Sequence, residues 1–450
     1  MIARIRSALL SINASYWFYP ALFSTIAFFL SFVTIYLDRN GAADWFSTYD
    51  WLHVSRPAGA RTTLTVIAGS MIGVASTVFS ITIAAVAYAS GNYGPRLLTN
   101  FMEDKGNQLS LATFIATFVY ALMVIRTVRD EDERAASAAD AAASVLPGFT
   151  PQLSLLVAMI MAIFAVAVLV YFLHHIPASI RINTVLKDIG ERLICDVKAR
   201  YPSEIEEREP REQSQGEPII SVNKGYIDII DFDTLDEIAR EHEATIALRV
   251  RTGDFIHPNV PIAELSGTGA SEEISDKIRN CLSTGGMRTA TQDLEYLIDE
   301  LVEIALRALS PGINDPFTAI TSMHWMGAAL AELGSRDLDR GPEQEDYDWQ
   351  RVQPLSDDFS HFVERSFGAM RSGVATNHLA SINFLNALFS AATSCQSDRR
   401  LRLIGEEAET MVKQARHHLV GPSLEELEAR LVEFNNMMES SSNALLARQF

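Results

Sequence analysis

The chain has 450 residues, of which 48% are hydrophobic and 21% charged, and its formal net charge is -19. That length exceeds one ordinary domain. The acidic excess lies mostly after residue 185, in stretches such as EIEEREPREQ and GEEAETMVKQ, and it excludes nucleic acid as a partner, because phosphate binding needs clustered Lys and Arg.

The basic lead MIARIRSALL precedes an apolar run with no small-residue cleavage site, so it reads as a retained first span. Four stretches reach the roughly 20 apolar residues that cross a bilayer. They are 18–37, 62–89, 108–125 and 151–173, and none contains a charge. With an even number of spans both termini share one side. The Lys and Arg balance puts Arg4, Arg6, Arg96, Lys105, Arg181, Lys187 and Arg192 inward and Arg39, Arg56, Arg61, Arg126, Arg129 and Arg134 outward. Both termini are therefore expected in the cytoplasm.

The second span carries small residues in step. Gly69 and Gly73 form a GxxxG pair, Ser76, Ser80, Ala84 and Ala87 extend the same stripe, and Ser76, Thr77 and Ser80 are its candidates for lining a hydrated path. Such a stripe serves either close helix packing, including packing against another copy, or a hydrated path. In the third span Asn107, Ser110, Thr113, Thr117 and Tyr120 follow at helical spacing. Polar side chains at this depth face protein or water, although Ser and Thr can also bond their own helix carbonyls. Between these spans, residues 90–108 read as a short amphipathic segment, with Arg96 and Lys105 placed either to hold lipid phosphates or to act as topology signals. The loop 126–148 begins with dense alternating charge and turns Ala-rich, which predicts that the third helix continues past the membrane. After His174 and His175 the fourth helix is expected to run on through IRINTVLKDIGERLICDVKAR as a stalk.

Residues 201–217 are charged and poor in hydrophobes, as a linker is. PIISV, GYIDIID, ATIALRV and VPIAEL then read as short strands, with a helix at FDTLDEIAREHE and a turn at Thr252-Gly253-Asp254. From 272 the period is helical. TQDLEYLIDELVEIALRALS puts Leu294, Leu297, Leu301, Ile304 and Ala308 on one face. It stops at SPGINDP, where Asp315 is suited to cap the next helix with Pro316 at its first position. This corner is either a rigid helix-to-helix joint or a contact for a subunit or small anionic ligand, with Ser310, Asn314, Asp315 and Thr318 as its polar residues, His324 nearby, and Arg288 a candidate to approach it.

The expected organisation is thus an all-α membrane half of four spans (1–175), a stalk and linker (176–217), a small barrel-sandwich-like β-domain (218–270) and a helical bundle (271–450), the last two forming a soluble α+β half. Cys195, Cys281 and Cys395 lie far apart, which suggests neither a disulfide framework nor a zinc site. There is no GxxxxGK[ST], HExxH, GxSxG or CxxC, so no enzyme, metal or cofactor is expected.

The segment LRVRTGDFIHPNVPIAEL is similar to the half-unit of lipoyl and biotinyl barrels, but no lysine stands at a lipoyl-type tip. FSITIAAVAYASGNYGPRLLTNFMEDKGNQLSLATFIATFVYALMVIRTV, the RTGDF turn and RALSPGINDPFTAI together resemble the predicted bacterial membrane proteins grouped as domain of unknown function 2254. The resemblance runs nearly end to end and implies a multi-pass protein of the bacterial inner membrane, with the lipid bilayer as its setting. It implies no activity. Two functions are weighed on the residues: a homo-oligomeric ion channel or pore with a cytoplasmic assembly or gating domain, and a membrane-anchored sensor or scaffold that binds a partner or small ligand.

Overall fold

The computed structural model describes residues 15–41, 56–94, 104–129, 148–201, 215–338, 351–355 and 358–446. The chain divides into two compact units, one holding residues 11–91 and 95–181, the other essentially 182–450. Each is described in turn.

The first unit contains four helices long and apolar enough to cross a membrane: α1 (Phe18–Arg39), α2 (Pro57–Tyr93), α3 (Lys105–Ile125) and α4 (Gln152–Ser179). Their side chains meet in a core that includes Leu64, Phe114, Tyr120, Val124 and Phe172. Lipid offers no hydrogen bonds, so the helix ends need protein partners. Asp38, at the end of α1, supplies them to α4, accepting from the backbone N–H of Leu153 and Ser154 at 2.9 Å each and from Ser154 Oγ at 2.7 Å. At the opposite end Asp104 caps α3 through Gly106 N–H at 2.7 Å and contacts His175 Nε2 of α4 at 2.8 Å. Arg61 Nη2 donates to the carbonyl of Val128 at 2.9 Å, tying the start of α2 to the segment that leaves α3.

Two helix ends differ from the sequence expectation. The third helix stops at Ile125, and Arg129 pairs with Phe149 in an isolated antiparallel bridge instead of extending the helix. Its last carbonyls are taken locally, Val124 O accepting from both Thr127 N–H and Thr127 Oγ1. The fourth helix does not run unbroken into the stalk either. It ends at Ser179, and a new helix, α5 (Ile182–Arg200), follows after Ile180 and Arg181. Pro177 lies inside the last turn of α4, and the helical pattern stops two residues after it. Residues 95–103 of the amphipathic segment expected around 90–108 fall outside the described residues, as do most of the loop 126–148 and the linker.

The second unit combines two small sheets with helices. β1 (Glu217–Ile220), β5 (Pro261–Ser266), β3 (Thr245–Leu248) and β7 (Val352–Gln353) form one sheet in that order, with β3 and β7 parallel. β4 (Phe255–Ile256), β2 (Gly225–Ile230) and β6 (Leu282–Gly285) form the other, antiparallel throughout. Helices α6 (Phe232–Glu241) and α7 (Glu272–Asn280) complete a core of Ile219, Ile227, Ile246, Leu248, Ile262, Leu265 and Ile278. β6 and β7 come from beyond residue 270, so the β-structure draws on a longer stretch than 218–270. The turn before β4 depends on Gly253, whose φ is +91° and whose missing side chain leaves room for Asp293 and Arg288.

The helical part consists of α5, α8 (Leu294–Ala308), α9 (Pro316–Gly334), α10 (Phe359–Val363), a π-helical turn at Glu364–Gly368, α11 (Ala369–Val374), α12 (His378–Ala392), α13 (Asp398–Ala415) and α14 (Pro422–Leu446). α8 buries Leu294, Leu297, Leu301, Ile304 and Ala308, the face its periodicity marks. α9 turns back beside it, with Ser322 Oγ donating to Leu301 O at 2.7 Å. α5 runs parallel to α9: Gly190 lies flat against Trp325, where a Cβ would collide with the indole, and Lys198 reaches Glu332 at 3.5 Å. α9 and α12 are also parallel, with Gly327 against Ala387 and Gly334 against Cys395 Sγ.

Candidate functional site

A cleft of about 330 Å³ opens in the second unit. The end of α5 contributes Asp196 and Arg200, and β2 and the start of α6 contribute Ile230 and Phe232. Leu248, Val250, Arg251 and Thr252 come from the strand leading to the Gly253 turn, and residues 290–294 and 354–355 close the ring. Ile230, Leu248, Val250 and Leu294 are buried apolar wall residues. Gln292 holds the elements together: its side-chain Oε1 accepts from Ile230 N–H at 3.0 Å, and its carbonyl accepts from Thr252 Oγ1 at 2.8 Å and Arg200 Nη1 at 3.2 Å.

One wall of the cleft rests on a network of charges. Asp293 caps α8 by accepting from Tyr296 N–H at 3.1 Å and takes Arg288 on its other oxygen at 2.6 and 2.9 Å. Arg288 continues to Asp299 at 2.6 Å, which Arg365 also holds, at 2.8 and 3.0 Å. Arg365 then reaches Glu295 at 2.7 Å, and Glu295 is shared with Arg251 at 3.2 Å and His361 at 2.8 Å. The π-helical turn presents Arg365 to both carboxylates from a backbone that an ordinary α-turn would rotate. Burial works against the charge on Glu295, but His361, Arg365 and Arg251 outweigh it and hold its carboxyl down to about 2. Burial alone pushes Asp228, at a bulge in β2, up to about 6.

Every carboxylate of the network is hydrogen-bonded to a guanidinium, which leaves none poised as a general base. Cys281 and Cys395 are buried, which pushes both thiols up to about 12, far from the thiolate needed for nucleophilic work. Among the described residues no group of three His, Cys, Asp or Glu is placed to hold a metal ion.

The sequence-marked residues fall in separate places. Gly69, Gly73, Ser76, Thr77 and Ser80 are exposed on the surface of the single chain, with the three hydroxyls donating to carbonyls four residues back at 2.9, 3.0 and 2.9 Å. In α3, Ser110, Thr117 and Tyr120 are buried and Thr113 is partly so. Ser110, Thr113 and Thr117 bond their own helix, whereas Tyr120 Oη meets Thr34 Oγ1 at 2.8 Å and donates to Ser154 O at 3.3 Å, joining three spans. Lys105 lies over the Tyr19 ring, 4.7 Å from its centroid, and Arg96 is outside the described residues.

At the SPGINDP corner Ser310 Oγ donates to Arg307 O at 2.6 Å, and Asn314 adopts a left-handed φ of +50°. Asp315 caps α9 through Thr318, at 3.2 Å to its N–H and 2.6 Å to its hydroxyl. Arg288 does not join this corner. It is bound to Asp293 and Asp299 toward the start of α8, and the nine residues from Asp299 to Ala308 put about 14 Å of helix between them. Sequence reasoning passed over Arg200, Arg251, Gln292, Glu295 and Arg365. The only local signal was the run DLEYLIDE, whose Asp293, Glu295 and Asp299 alternate with apolar residues at the start of a helix.

A family model described as "Predicted membrane protein (DUF2254)" matches residues 13–390. An uncharacterized protein of Mycobacterium bovis and two of Mycobacterium tuberculosis are each 32% identical to the chain over 292 residues, a stretch covering 63% of this chain and 54% of theirs. The chain thus spans about half the length of these curated relatives. No solved structure matches. Four membrane-crossing helices, the RTGDF turn and the SPGINDP corner all lie within the matched residues, and the chain belongs to the predicted membrane protein family known as domain of unknown function 2254.

Proposed function

We propose that this protein is a membrane-anchored binding protein whose C-terminal unit takes a small ligand with an anionic end and an apolar body. The cleft carries this reading: about 330 Å³ lies within the range of small-molecule sites, and Arg200 and Arg251 line it together with the apolar Ile230, Leu248, Val250, Leu294 and Leu355. Asp293 is offset by Arg288 and Arg251 is shared with Glu295, so Arg200, at the end of α5, is the cationic side chain we assign to the anionic end of the ligand. We place the protein in the bacterial inner membrane with both termini in the cytoplasm. An even number of spans and three unpaired cysteines support that placement.

Benzoate and its neutral isostere benzamide are suitable probes for full-length protein in detergent. Saturating benzoate is expected to raise the unfolding midpoint of the C-terminal unit by the equivalent of about 1–3 kcal/mol, as binding to the folded state alone requires. Benzamide should not do so, and Arg200→Gln should erase the difference. Equal responses to the two compounds, or a benzoate shift that survives Arg200→Gln, would overturn the reading.

A second reading is favoured by the exposed face of α2. Gly69, Gly73, Ser76, Thr77 and Ser80 form a small, weakly polar strip uncovered on the single chain, suited to close approach of a second copy in a homo-oligomeric channel. Protein reconstituted in liposomes would then pass ions, and Ser80→Leu would cut the flux by about tenfold by drying the path. Liposomes that stay tight under voltage, tension and pH steps rule this reading out.

A further inference from the structure

Two side chains in the last turns of α5 bring opposite charges to the cleft without pairing with each other. Asp196 and Arg200 both line it and stand four residues apart, which puts them on one side of the helix, about one turn from each other. Arg200 Nη1 donates to the carbonyl of Gln292 at 3.2 Å, and Arg192, one turn before Asp196, donates through Nη2 to the carbonyl of Ala290 at 3.2 Å. The two arginines thus clasp the loop 290–292 from either side of Asp196. The carboxylate between them is left without a donor. Among the described residues the one cation within 4 Å of Asp196 is Arg192, at 3.9 Å, which is beyond hydrogen-bond length.

A half-buried carboxylate with no donor is held at a cost, because what it loses in hydration nothing in the protein replaces. Burial accordingly lifts the Asp196 carboxyl above its ordinary value, and Arg192 opposes this only in part. The other charged groups of the cleft are occupied elsewhere. Asp293, the second carboxylate lining it, is buried and held by Arg288 and by the N–H of Tyr296. Arg251, the second guanidinium, is shared with Glu295 at 3.2 Å. The cleft therefore offers a ligand one anion that lacks a cationic donor and, a turn further along the same helix, the cation assigned above to a carboxylate. Ile230, Leu248, Val250 and Leu294 supply an apolar wall for the remainder.

We propose, resting on the reading of the cleft as a small-molecule site, that its ligand is an aliphatic α-amino acid bound as the zwitterion, with its carboxylate on Arg200, its ammonium on Asp196 and its side chain against the apolar wall. Side chains one helical turn apart have Cβ atoms about 5–6 Å from each other. The two charges of an α-amino acid sit on a single carbon, so both can be met from one side of α5. Selection follows from the same pair. A plain carboxylic acid would bring a second carboxylate beside Asp196, and a plain amine would meet Arg200; each is repelled by the group that the zwitterion satisfies. The loop 290–292 fixes the pair in place, since it holds α5 on both sides of Asp196 and is anchored to β2 through Gln292 Oε1 and the N–H of Ile230, at 3.0 Å.

The test is calorimetric titration of full-length protein in detergent at neutral pH with three compounds: L-leucine, isocaproate, which is leucine without the ammonium, and isoamylamine, which is leucine without the carboxylate. L-leucine is expected to bind at least about tenfold more tightly than either, the scale of one charge-assisted hydrogen bond. Asp196→Asn should bring leucine and isocaproate to within about twofold of each other. Arg192→Gln, which removes only the flanking cation, should preserve the gap. Wild-type protein that binds isocaproate or isoamylamine as tightly as leucine would overturn the proposal, as would a gap that survives Asp196→Asn. If benzoate still shifts the midpoint in those cases and benzamide does not, the carboxylate site on Arg200 stands and the amino-acid assignment alone falls. No response to leucine, isocaproate or benzoate removes both. The three compounds on wild-type protein give an answer even if Asp196→Asn fails to fold.

Discussion

Glu295→Gln is expected to lower the unfolding midpoint of the C-terminal unit by about 5–10 °C at pH 7, the equivalent of about 2–3 kcal/mol. The carboxylate serves Arg251, Arg365 and His361 together, and its side chain is only 14% exposed. Its neutral amide would leave two guanidiniums facing each other without the charge that offsets them. The pH dependence follows from the direction of the shift. Glu295 titrates at about 2 in the folded protein against an ordinary 4.5, so its contribution is fully present above about pH 4.5 and is lost as the pH falls toward 2. Wild-type and variant midpoints, followed by near-UV circular dichroism in detergent, should differ at neutral pH and converge through that acid window. Coincident midpoints at pH 7 would show that the network does not stabilise the unit.

Asp38→Ala should be similarly costly in the membrane unit. Asp38 accepts two backbone N–H groups and one hydroxyl at the start of α4. A lost N-cap costs about 0.5–2 kcal/mol in water, and the exposed amides find few substitutes near lipid. We expect a total of about 2–3 kcal/mol, seen as a fall in the thermal midpoint of the purified protein in detergent. Asp38→Asn, which keeps one acceptor oxygen, should recover about half. A midpoint unchanged by Asp38→Ala would mean that water caps the helix just as well.

The four spans were legible because lipid imposes a length and a polarity that a run such as LLVAMIMAIFAVAVLVYFL satisfies without reference to anything else. Capping was legible for the same reason where it is local, as with Asp315 and Thr318, three residues apart. Where the partner is distant it was not. Asp38 and Ser154 are separated by 116 residues, and nothing in the text of either neighbourhood names the other. The cleft is a harder case still, since it takes residues from five stretches between 196 and 355. β6 was missed because Leu282–Gly285 is four residues ending in glycine, and only its pairing with β2 makes it a strand. Arg288 was assigned to the wrong neighbourhood by proximity along the chain to the helix that ends at the corner. Its actual partners are decided by the turn at 286–293, which folds it back onto the start of α8.

The two aspartates that hold α4 also impose an order of assembly. Asp38 precedes Leu153 by 115 residues and Asp104 precedes His175 by 71. At about 5–20 residues per second, a ribosome takes about 6–23 s to make the first of these intervals. Through that interval Asp38 has no α4 to engage, Asp104 joins it once α3 is made, and the last span to be synthesised is the one that completes the contacts of both. α4 is thus the closing piece of the membrane unit. A nascent chain released before residue 153 would keep three apolar helices yet lack the groups that engage Asp38 and His175's contact to Asp104, giving a quality-control machinery a chemical mark by which to tell it from the finished protein.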